Sequence, residues 1–202
     1  MSESRSCVDT VSTGTEHRCT VLVMGVSNRT LLDVATVVLV ASPSASMGDV
    51  AAAAGISRTT LHSRFPSREA LLAALAADAM DLVEQAYGEA RLEVGAVMDA
   101  LRRLVALLVP LGPRLDFLLR ERSLDDDAAV TVRYSHLERP IVALFERGQL
   151  EGVIRADLPP WWLASGATGL VSAAWEAIAD GRLAPRDAAG FVVTTLLDGV
   201  GP

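Results

Sequence analysis

Apolar residues in this chain recur three and four positions apart over most of its length, and nowhere do they alternate for long. That period places them on one face of a helix, whereas a half-buried strand needs a period of two. The first set, Leu31, Val34, Ala35 and Val38, predicts a helix over about 28–40. The serines and Pro43 of "ASPSAS" (41–46) end it. Met47, Val50, Ala51 and Ala54 predict a short helix over 47–54, closed by Gly55 as a left-handed C′ residue. Ser57 is a good N-cap for a third helix, about 58–64, which Pro66 stops. Ser67 caps a fourth, with Glu69 in its first turn, running to about residue 93. Further helices are predicted from Val97 to Leu108, over 114–122, from about 125 to 150, over 160–180 and over 185–199. Pro140 is expected to kink or split the third of these. The fold class is all-α.

Charge is unevenly spread along the chain. The 202 residues carry a net charge of −7. Residues 28–75 hold four arginines and three acids, a net +1, while residues 76–202 hold twelve and nineteen, a net −7. An acidic body disfavours unspecific nucleic-acid binding but leaves room for a local site. Residues 1–27 read as a flexible N-terminal arm. Cys7, His17 and Cys19 within it are too few, without a second cluster, to predict a metal site. "CTVLVMGV" is too short for a membrane span. The expectation is a cytoplasmic protein with no membrane partner, no cofactor and no metal.

Two short helices joined by a glycine turn, with a helix before and a longer one after, make a helix-turn-helix. On its third helix Leu61 and Phe65 are spaced i, i+4 and face the small core. The opposite face shows Arg58, Thr59, His62 and Ser63, flanked by Thr60 and Arg64. Hydroxyls and arginines are the groups that read base edges and phosphates. No carboxylate, which DNA would repel, lies between Ile56 and Arg68. The same face would also serve as plain solvated surface on a helix-turn-helix that never touches DNA.

The segment "MGDVAAAAGISRTTLHSRFPSREALL" (47–72) resembles the DNA-binding segment of TetR-family transcriptional regulators. The likeness is carried by Val50-Ala51, Ala54-Gly55-Ile56-Ser57, Thr60-Leu61-His62, Phe65 and Arg68-Glu69-Ala70-Leu71-Leu72. "RGQLEGVIRADLPPWWL" (147–163) resembles the link before that family's dimerising helices, so the likeness spans about residues 28–200. It departs at His62, where tyrosine is usual, at Val37, where phenylalanine is, and at Ala41, where glycine is. The resemblance implies a helix-turn-helix DNA-binding domain over 28–72 and a helical ligand-binding and dimerisation domain over 73–202. It implies a homodimer on a palindromic double-stranded operator and a small apolar effector that releases the DNA. Carried over by position, Arg58, Thr59, Thr60, His62, Ser63 and Arg64 face DNA, with Ser57 at the head of their helix. Ser46 and Arg68 match residues that contact phosphate.

The C-terminal part is less explicit. Met98, Leu101, Val105, Phe117, Tyr134 and Trp175 are its candidates for a ligand pocket, which should be mostly apolar with few polar anchors. Tyr134 stands out, because a buried phenol needs a partner. Arg102 and Arg103 read as solvated. Gly166, Ala167, Gly169, Ala173, Ala174 and Ala177 form a small-residue strip. A mid-helix glycine costs about 1 kcal/mol against alanine, and close helix approach would offset it. Gly166, Gly169, Leu170, Ala173, Phe191 and Thr195 are therefore the candidate dimer interface. No catalytic constellation is visible, so the chain is not expected to be an enzyme. A second reading is a helical interaction protein that keeps the fold without binding DNA.

Overall fold

A computed structural model describes residues 27–121, 123 and 128–200. The cysteines, His17 and the expected N-terminal arm through residue 26 lie outside the described residues, as do the acids Asp125, Asp126 and Asp127. The described chain is helical without strands. Its helices are α1 (Asn28–Ala41), α2 (Met47–Ala53), α3 (Arg58–Arg64), α4 (Arg68–Ala90), α5 (Val97–Leu108), α6 (Gly112–Arg120), α7 (Ala128–Leu150), α8 (Pro160–Ala179) and α9 (Pro185–Val200). A 3-10 turn, Val109–Leu111, joins α5 to α6.

Four serines start the first four helices. Ser27 accepts the Thr30 N–H at 3.1 Å, Ser57 that of Thr60 at 3.0 Å, and Ser67 that of Ala70 at 3.2 Å. Ser46 and Asp49 form a reciprocal capping box: the serine accepts the Asp49 N–H, and the carboxylate accepts the Ser46 N–H at 2.7 Å. Each cap satisfies a backbone donor that the helix cannot satisfy itself. Between α2 and α3, Gly55 sits at φ +65°, and the Ile56 N–H returns to the Ala51 carbonyl at 3.0 Å. This is the Schellman closure that the glycine permits. Leu31, Ala35, Leu39, Val50, Ala51, Leu61 and Phe65 close the small core of α1–α3. Val37 lies outside that core at 57 % exposure, so nothing in the packing asks for a phenyl ring there.

The central helix is α4, which packs against α1, α5, α6 and α7. Its expected end near residue 93 comes early. Arg91 takes a left-handed conformation at φ +48° without being glycine. Arg103, expected to be solvated, holds that end by donating to the carbonyls of Ala90 (2.8 Å), Arg91 (3.1 Å) and Val94 (2.9 Å). α7 runs unbroken through Pro140. The carbonyl that loses its partner there belongs to His136, an exposed residue where water can take the bond.

The α6 start is set by close packing. A Cβ on Gly112 would lie 2.3 Å from the Cβ of Trp175, so α6 can begin against α8 only because Gly112 has no side chain. Trp175 is thereby a packing residue of the α6–α8 contact. Gly112→Ala should lower the unfolding free energy by about 1–3 kcal/mol, as overpacking does; a lower urea midpoint than the parent protein checks it.

Candidate nucleic-acid interface and ligand cavity

α3 presents two faces. Leu61 is fully buried and Phe65 nearly so. Arg58, Thr59, Thr60, His62 and Ser63 are exposed, and Arg64 is half-buried at the C-terminal end. The Thr60 hydroxyl is bonded to that of Ser57 at 2.8 Å, so both take part in the cap. The Arg58 guanidinium folds back over α2: a Cβ on Gly48 would lie 3.3 Å from its Nε. Thr59, His62 and Ser63 thus make up the open middle of the face, with no side-chain bond among the described residues.

Two expected phosphate contacts have work inside the protein. The Ser46 hydroxyl also donates to Asp49 at 2.8 Å, within the capping box. Arg68 turns inward rather than toward a phosphate. Its guanidinium donates to the carbonyls of Ala45 and Pro43, both at 2.6 Å. Those carbonyls belong to the α1–α2 connection. Arg68 therefore ties that loop to the first turn of α4. The signal for Ser46 was legible as Ser-x-x-Asp; that for Arg68 was not, because its partners lie 23 and 25 positions away.

In the body, a cavity of about 100 Å³ lies between α4, α5, α6, α7 and α8. Leu108, Leu115, Leu118, Leu119, Leu137 and Ile141 supply most of its apolar wall. Tyr87, Tyr134, Glu138, Ser165 and Thr168 bring polar atoms to it. Burial pushes the phenol of Tyr87 above its ordinary range, and the charges of Tyr134 and Glu138 add to the effect. Tyr134 moves the same way, through burial first and then Glu138. Both phenols therefore stay protonated and able to donate.

Of the six pocket candidates, Tyr134 alone lines this cavity. Leu101 and Val105 are buried in the core on the inward face of α5, and Met98 packs against that core. Phe117 points from α6 toward the head, lining a crevice with Leu39, Val40 and Pro43. Trp175 covers Gly112. Helical spacing identifies the inward residues of each helix but not which inward direction holds a void.

The last two helices split their small-residue strip. Ala167 and Ala174 face inward, whereas Gly166, Gly169 and Ala173 are exposed. Leu170 is half-buried; Thr195 is exposed, and so is Phe191 at 62 %. A Cβ added to Gly166 or Gly169 would meet nothing within 4 Å. Packing within one protomer therefore gives no reason for either glycine. An open groove beside them is lined by Trp162, Leu170, Thr195 and Gly199 among others.

Head and body meet through Arg114 on α6. This side chain, 11 % exposed, pairs with Asp78 of α4 at 3.0 Å and with Asp33 of α1. Two residues on, Asp116 is 2 % exposed and accepts from Arg120 at 2.7 Å and from the Ser172 hydroxyl at 3.0 Å. Among the described residues no group of three or more histidine, cysteine or acidic side chains could hold a metal ion, and no helix is long and apolar enough to cross a membrane.

A helix-turn-helix head with a basic, carboxylate-free face on an all-α body is the architecture of a DNA-binding transcriptional regulator. Residues 31–75 match the model of the bacterial regulatory proteins of the tetR family. The chain is 35 % identical over 175 residues to the HTH-type transcriptional repressor LfrR of Mycolicibacterium smegmatis, covering 86 % of this chain and 90 % of that protein. It is 29 % identical over 130 residues to the HTH-type transcriptional regulator NfxB of Pseudomonas aeruginosa, covering 63 % and 70 %. The crystal structure of LfrR from Mycobacterium smegmatis in complex with proflavine superposes with a TM-score of 0.71 at 33 % identity, covering 86 % of this chain and 96 % of that one. The chain belongs to the TetR family of transcriptional regulators. The relatives are regulators and not enzymes.

Arg68→Ala should lower the urea unfolding midpoint by the equivalent of about 1.5–3 kcal/mol, the worth of hydrogen bonds from a charged donor. Lysine, without the planar fork, should restore only part of it. A residue that served phosphate alone would leave the midpoint where it was.

Proposed function

We propose that this protein is a homodimeric repressor that leaves a palindromic operator when a small, mostly apolar effector fills the body cavity. The observation that carries the reading is the double role of α6. Leu115, Leu118 and Leu119 of this helix wall the cavity, while Arg114 and Phe117 of the same helix hold the head. A molecule that shifts α6 shifts α1 with it. Coupling of this kind needs only a differential affinity between two arrangements of the head. LfrR has been crystallised with proflavine, which makes that dye a reasonable first probe here.

In this reading Arg58, Thr59, His62, Ser63 and Arg64 face the major groove, and Ser57 and Thr60 hold the helix that presents them. The exposed face of α8 and α9, with Gly166, Gly169, Ala173, Phe191 and Thr195, meets its copy across a two-fold axis. A second backbone lying close against the glycines supplies the reason one protomer lacks. Two heads then stand one helical turn apart on the duplex. Head and body divide near residue 72, within α4, which runs through both.

DNA flanking the protein's own gene, in a gel-shift assay, is the test. Saturable binding that falls steeply with salt is expected. Thr59→Ala/Ser63→Ala should weaken it roughly tenfold or more, two hydrogen bonds at about 1 kcal/mol each, without loss of the folded dimer. No binding at low salt would favour the reading as an interaction protein.

Asp33→Asn tests the coupling. Asp33 is half-exposed, and Arg114 keeps Asp78 when it is lost. The proflavine concentration that releases half the DNA should rise several-fold, a coupling loss of about 1 kcal/mol. Proflavine affinity measured by fluorescence should stay within about twofold.

A further inference from the structure

We propose that the effector carries a positive charge and that Glu138 selects for it. The inference rests on the reading that the cavity takes the effector. Thirteen residues line the cavity, and Glu138 on α7 is the one charged residue among them. Glu138 is exposed, and its carboxylate makes no hydrogen bond or ion pair among the described residues. Among the described residues, the arginines of α6 and α7 pair elsewhere or do not line the cavity. Arg133 on the same helix pairs with Asp81 and Glu84 of α4. Arg120 pairs with Asp116 and Glu176. Arg139 is exposed and does not line the cavity.

Two phenols share that side of the cavity. Glu138 acts electrostatically on both Tyr87 and Tyr134, which places all three groups within reach of one another. Neither phenol makes a hydrogen bond among the described residues. The lining thus brings one carboxylate and two phenols, none of them hydrogen-bonded among the described residues, together with a wall of leucines.

Physical chemistry ranks the ligands such a set accepts. An anion meets Glu138 with no lining cation to offset it. A neutral molecule leaves the exposed carboxylate to water and gains nothing from its charge. A cation with a donor N–H gains a charge-assisted hydrogen bond to Glu138 and a place against the electron-rich tyrosine faces. Its remaining area must be apolar to match the leucines. The class is a compact, largely aromatic molecule with a cationic edge.

Proflavine and acridine separate charge from shape. They share three fused rings; at pH 8 proflavine is protonated and acridine is neutral. Both are titrated against the full chain, Glu138→Gln and Leu118→Trp, with folding checked by circular dichroism. Parent protein should bind proflavine more tightly than acridine. Glu138→Gln should weaken proflavine about tenfold or more, the loss of one charge-assisted bond, and alter acridine by less than about twofold. Equal binding of the two dyes by the parent, or a Glu138→Gln effect that is absent or the same for both, overturns the inference, as does binding of neither dye. Leu118→Trp fills the cavity and should abolish both dyes. If it does so while Glu138→Gln changes nothing, charge selection alone fails. If dye binding survives Leu118→Trp, the cavity itself is not the effector site.

Discussion

The guanidinium of Arg114 is where the two halves of this protein meet. It is nearly buried, and it bonds carboxylates on two different helices, one from the head and one from the central α4. A buried cation missing one partner is costly, so the three side chains constrain one another. Phe117, one turn along, borders a crevice shared with Leu39 and Val40. Charge and packing therefore join α6 to α1 over a short stretch. The opposite face of α6 is apolar and borders the cavity. One helix thus touches both the head and the cavity.

Much of the head was legible because its determinants are local. Gly55 turns the chain, Ser57 and Ser67 cap, and Leu61 and Phe65 are buried as their spacing requires. Each of these depends on neighbours within about five residues. What spacing did not show are side chains whose partners are distant in sequence. Arg68 reaches back to a loop more than twenty residues earlier, and Arg103 closes a helix other than its own. Trp175 is explained by a glycine on α6. No period or motif encodes such pairs.

The ligand cavity is a harder case. Leu101 and Val105 are as apolar and as well spaced as Leu115 and Leu118, yet the first pair is solid core and the second borders a void. The difference lies in how five helices fail to close, which no one helix records. Tyr134, which lines it, stood out because a phenol in an apolar stripe is chemically out of place. Glu138, which also lines it, did not, because a glutamate on a helix reads as surface, and it is exposed.

The four serine caps have one more consequence. Their hydroxyl bonds to backbone N–H groups are short-range and neutral, so added salt screens phosphate attraction without touching them. Raising ionic strength should pull the protein off DNA while α1–α4 keep their starts. A salt titration of DNA binding therefore leaves the starts of these four helices in place. The number of counterions displaced can then be read from the slope directly.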